Sequence, residues 1–134
     1  MGPAGEGTGV VFNDFDAGGV RWAIDLGPDD YNLPGYFGNK RWTYYRLKTA
    51  GQNTLSLDGK DQDPRAKAPM VAFGSRSGWA FAVADLSAGY AGQATTVKRG
   101  VALLDRKRVL VQDEITASEP VDPVWVVHTA ADVT

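Results

Sequence analysis

The sequence predicts an all-β fold, an antiparallel β-sandwich of about eight or nine short strands. Three observations lead there. Bulky apolar residues alternate with polar ones over runs of four to nine residues, the period of a strand with one covered face. Gly, Pro, Asn and Asp clusters punctuate those runs. No segment sustains helical periodicity over three turns with matching start and stop signals.

Residues 1–9 are glycine-rich and poor in bulky side chains, which predicts a flexible leader ahead of a single domain over residues 10–134. A first packed segment is expected at residues 10–15, close enough to pair with a strand at residues 20–26. In that second strand Val20, Trp22 and Ile24 share one face and Arg21, Ala23 and Asp25 the other, so Trp22 is expected to point inward. The turn Gly27-Pro28-Asp29-Asp30 ends it and leaves Asp25 at the rim of a sheet. An Asp before such a turn ordinarily caps it by accepting backbone N–H groups, and metal ligation or sugar binding is the sharper alternative.

Residues 28–40 read as a long irregular loop carrying Tyr31, Leu33, Tyr36 and Phe37. Such a loop either covers a core edge or lines a binding surface. Residues 41–47, RWTYYRL, alternate again and are expected to form a strand with aromatic bulk on both faces. Trp22 and Trp42 are both expected to be substantially buried, at a cost of about 3–5 kcal/mol for replacement by Ala. Residues 53–57 form the next strand, closed by Asp58-Gly59, and residues 61–67 a polar loop. Residues 70–76 and 79–85 pair across Ser77-Gly78, residues 88–93 turn, and residues 95–104 and 108–115 pair across Asp105-Arg106-Lys107. Residues 119–122 break the pattern before a last strand at residues 124–129, VWVVHT.

Composition narrows the function. At 134 residues with 43% apolar content, the chain is long enough for one domain with a real core, and no run is long enough to span a bilayer. A net charge of −2 without a basic stripe gives no electrostatic reason to expect nucleic acid as a partner. The absence of cysteine excludes disulfides, thiolate nucleophiles and cysteine-based metal sites. A single imidazole, His128, excludes any internal site that needs two. In an apolar strand it is expected to donate to a backbone carbonyl. Tyr31, Tyr36, Tyr44, Tyr45 and Tyr90 become phenolic bases only beside a cation, and packing is the ordinary role. The opening MGPAGEGTG has neither the basic start nor the apolar middle of a secretion signal, so the compartment stays open.

Three blocks carry a family resemblance: FDAGGVRWAIDLGPDDY (residues 15–31), RWTYYRLKTAGQNTLSLDGKDQ (residues 41–62), and RGVALLDRKRVLVQDEI (residues 99–115) followed by WVVHT. The chain resembles the C-terminal β-sheet domain of heparinase II/III-like polysaccharide lyases. The resemblance implies a parent enzyme, often periplasmic or secreted, in which an N-terminal helical domain and this sheet domain hold an acidic polysaccharide between them. It implies β-elimination at a uronic acid, with a base at C5, a group neutralising the carboxylate, and an acid for the leaving oxygen. The family's His-x-His pair would fall near Gly5 to Gly7, where neither position is histidine. Of its metal ligands Asp25 matches the aspartate, whereas Gln52 stands where the histidine of the family's HNTL motif would be.

One carboxylate without nitrogen partners is not a zinc site, so no metal, no cofactor and no catalytic residue are expected in this chain alone. Substrate contact is expected from Tyr36, Arg41 and Trp42. The expected partners are an acidic polysaccharide and the helical domain, with neither nucleic acid nor membrane, and uncovered sheet edges leave oligomer formation open. The competing reading is a free-standing carbohydrate-binding or scaffold module that has lost catalysis.

Overall fold

The computed structural model describes residues 15–134. Eight strands form three antiparallel sheets among these residues, and the only helical pieces are 3-10 turns of three or four residues. The fold is all-β, consistent with a β-sandwich.

The largest sheet is a meander of β4 (Met70–Arg76), β5 (Trp79–Asp85), β6 (Thr96–Leu104) and β7 (Arg108–Thr116), in that order. Its two hairpins fall where turn chemistry places them. Gly78 has φ +87°, and Asp105 and Arg106 turn the β6–β7 hairpin at φ +53° and +54°. These are left-handed conformations that Gly and Asp tolerate better than most residues. Register follows from the turns, pairing Trp79 with Leu104 and Leu104 with Arg108.

Along β6 the residues alternate between buried Val97 and Arg99 and exposed Thr96 and Lys98, so one end of the meander has a covered face and a wet one. The covered face meets Leu55 and Leu57 of β3 (Leu55–Leu57), with Leu86 and Tyr90 from the β5–β6 connection and Ala84 from β5. These residues, with Val97, are the core. β3 pairs with β8 (Pro123–Trp125), Leu55 opposite Trp125. A hairpin of β1 (Phe15–Ala17) and β2 (Val20–Ala23) is the third sheet.

The expected first segment lies mostly outside the described residues, and only its end, Phe15, is seen in β1. Residues 41–47 correct the sequence reading. They form two successive 3-10 turns, Arg41–Thr43 and Tyr45–Leu47, separated by an extended Tyr44 at φ −82°, ψ 135°. The alternating aromatics have β propensity but no ladder partner among the described residues, so local bonds take over: the Thr43 N–H and Oγ1 both donate to the Lys40 carbonyl.

Trp22 corrects it too. The face of β2 that turns inward carries Ala23, which is fully buried, while Trp22 is 51% exposed. A two-stranded hairpin lying on the domain covers one face only, and here the small residue is the one that fits against it. The expected burial cost therefore does not apply to Trp22, although Trp42 is half-buried as a packing role requires. The last strand is also shorter than expected. Beyond Trp125 the chain stays attached through single bonds, Val126 N–H to the Thr54 carbonyl and Ile24 N–H to the His128 carbonyl.

Candidate functional site

The residues singled out by sequence converge on one side of the β3–β8 pair, where residues 24–30, 41–53 and 126–128 meet. Asp25 caps its turn, its Oδ1 accepting the Gly27 N–H at 2.8 Å. Arg46 secures the same turn by donating to the carbonyls of Leu26 at 2.7 Å and Pro28 at 3.4 Å. Gln52 donates its side-chain N–H to the Arg46 carbonyl at 2.6 Å. Among the described residues no group of three or more His, Asp, Glu or Cys side chains is placed to hold a metal ion.

Next to Gln52, Asn53 organises a chain of hydrogen bonds that sequence reasoning missed. Its Nδ2 donates to the Ile24 carbonyl at 2.9 Å, and its Oδ1 accepts the His128 backbone N–H at 2.7 Å. The amide oxygen is thus the atom facing His128, whose ring Nδ1 lies 3.1 Å from it. An acceptor at that position calls for the proton on Nδ1, and in the neutral ring that leaves Nε2 with a lone pair. The Tyr45 hydroxyl sits 3.0 Å from Nε2, as donor to it in that form. His128 therefore donates to a side-chain amide rather than to a backbone carbonyl as expected. The only sequence signal was an Asn in a strand start facing the only His, and partners 75 residues apart cannot be paired by pattern.

Tyr36, Arg41 and Trp42 do come together. The Arg41 guanidinium lies 5.2 Å from the Tyr36 ring centre and 5.3 Å from that of Trp42. Such cation–π geometry contributes about 0.5–2 kcal/mol. Tyr36 is 2% exposed and packed by Tyr31, Phe37 and Tyr44, so its ring has no open face for a sugar. Arg41 and Trp42 remain half-exposed, and Tyr31 and Phe37 are the open rings of the cluster.

Beneath both groups runs a buried polar layer. Arg99 is bound to Asp113 through two 2.7 Å bonds and donates to the Asn53 carbonyl at 3.3 Å. Tyr90 donates to the Leu55 carbonyl and accepts from Gln62, which also reaches Thr54. Burial raises the Tyr90 hydroxyl above its ordinary pKa, against the lowering effect of those hydrogen bonds. This layer fixes residues 53–55, and with them the site's floor.

A family model described as heparinase II/III-like, C-terminal, matches residues 14–134. The chain belongs to the heparinase II/III-like family, as its C-terminal domain. The match takes in the whole described structure, including the positions of Asp25, Gln52 and His128. A search of curated proteins returned no match.

Proposed function

We propose that this heparinase II/III-like C-terminal domain is the sheet half of a lyase that cleaves uronic-acid-containing polysaccharides by β-elimination. By itself it binds acidic polysaccharide without cleaving it. The observation that carries this reading is Gln52: where the family resemblance implies an imidazole, an amide is tied into the backbone at Arg46. An amide cannot take up a proton near neutral pH and is a poor zinc ligand. The domain accordingly works without metal or cofactor. The base and the carboxylate neutraliser of the reaction come mostly from a helical partner domain. Arg41 and Trp42, flanked by Tyr31 and Phe37, offer a cation and aromatic faces suited to a sugar carboxylate and ring.

The test is to incubate the purified chain with heparan sulfate, heparin and alginate, following the absorbance of the unsaturated uronate and, in parallel, binding by calorimetry. Saturable binding without product, weakened in R41A, is the expected result. Product released by the chain alone would overturn the inactive assignment. Binding that is equally strong for neutral and acidic polymers favours the free-standing module.

A further inference from the structure

The β1–β2 hairpin and the meander leave an opening between them. Phe15 and Trp22 of the hairpin, Val109 and Val111 of β7, and Trp125 and Val127 at the end of β8 line a groove of about 480 Å³. Protein interiors are close-packed, with few voids larger than a water molecule, so an opening of this size between strands is a seat rather than a packing fault. Its walls are apolar, and among the described residues that line it Lys107 is the one charged side chain. A pocket for a small polar ligand brings several polar groups together. Here the Trp22 indole N–H is already given to the Ala17 carbonyl at 3.2 Å. Trp22, Val109, Leu110, Trp125 and Val127 are each more than a third exposed. Leaving that apolar surface in water is unfavourable, which favours an apolar occupant.

The chain itself supplies one. Phe15, the first described residue, is part of the groove wall, so the preceding residues join the structure at that point. Residues 1–9 hold no large apolar side chain apart from Met1, whereas Val10, Val11 and Phe12 are three in a row, followed by polar Asn13 and Asp14. Phe12 is three residues from Phe15, a span of at most about 11 Å, so its ring is within reach of the groove. A two-residue tether holds such a group at an effective concentration on the order of millimolar. A second copy or a free ligand has no such advantage. β7 adds a backbone reason. Among the described residues it pairs with β6 alone, so its outer edge at Val109–Val111 offers main-chain groups to an incoming segment.

We propose that Val10, Val11 and Phe12 dock in this groove, so that the chain closes its own sandwich between the hairpin and β7. The segment then belongs to the folded domain and stands between the groove and any outside ligand. Neither the occupant nor its seat depends on the polysaccharide reading.

The test uses the full chain, which has no cysteine, so an introduced pair of thiols reacts without competition. Asn13→Cys with Lys107→Cys leaves the three docking residues intact, and a short bismaleimide should join the pair within one chain. Asn13→Cys with Ser75→Cys, on β4 at the far edge of the meander, should remain unjoined. Equal yields for the two pairs would overturn the proposal. Cross-links formed between chains, seen as a dimer on a denaturing gel, would overturn it in favour of a second copy as occupant. In parallel, Phe12→Asp should lower the urea midpoint and shift the indole N–H signals of Trp22 and Trp125 in NMR spectra while that of Trp42 stays in place. A Phe12→Asp chain with the midpoint and the indole signals of wild type would leave the groove to an outside ligand and overturn the proposal.

Discussion

Arg99 is the least expected residue in the core. It is 1% exposed, and its charge is tolerated because Asp113 meets it with two parallel hydrogen bonds and the Asn53 carbonyl takes a third. The pair itself adds little net stability, since both charges lost their water, but losing one partner strands the other. Asp113→Ala should therefore lower unfolding stability by about 3–5 kcal/mol, read as a shift of the urea midpoint with an unchanged slope. Two titrations bracket the pH range. The side-chain and backbone bonds from Ser87 hold Asp85 below its ordinary value of 3.8. That contribution is present above the unfolded value and is lost as pH falls through the lower folded one. Tyr90 runs the other way: burial raises it above 10.0, so the unfolded chain releases that proton first and stability falls as pH climbs past 10.0. Ser87→Ala should reduce the extra acid resistance, the backbone N–H bond to Asp85 remaining, and Tyr90→Phe should remove the alkaline loss, both measured as melting temperature against pH.

At the scale of elements, the 45–52 segment shows how a glycine decides a site. A Cβ on Gly51 would lie 1.9 Å from the Tyr45 carbonyl oxygen, so only glycine lets the third 3-10 turn, Thr49–Gly51, close against the second. Gly51→Ala should push Tyr45 away from His128 and destabilise the domain by about 1–3 kcal/mol or more. The change would appear as a shifted His128 ring signal in NMR spectra. This segment also marks the limit of what the sequence reveals. The meander was legible because alternation and turn residues coincide in Val97, Arg99, Gly78 and Asp105, where local preference and tertiary packing agree. Residues 41–47 misled because alternation reports which side chains are bulky and says nothing of whether a neighbouring strand exists to pair with. Trp22 misled in the same way: a hairpin covers the face that fits, and here that face belongs to Ala23. Of the site, the Asp25 cap was readable from its own turn. The Tyr45–His128–Asn53 chain was not, because its members meet only through long-range closure.

For the molecule as a whole, the meander is the feature that shapes behaviour in solution. Among the described residues β4 and β7 are its two edges, and β4 leaves Met70, Val71 and Phe73 exposed. An uncovered apolar edge is a template for another chain. Concentration-dependent association is expected by sedimentation, and Phe73→Lys should reduce it without lowering the melting temperature.

The pairing of Leu55–Leu57 with Pro123–Trp125 encloses everything from the meander's first residue to its last between two short stretches that are remote in sequence. Neighbouring hairpins zip up quickly, whereas this clasp must wait for its far partner to arrive. Asn53 and His128 adjoin that clasp, so their union is expected late in folding. In hydrogen–deuterium exchange the His128 amide should open together with those of Leu55 and Trp125, ahead of the amides between β5 and β6, which makes it a reporter of the latch rather than of the scaffold.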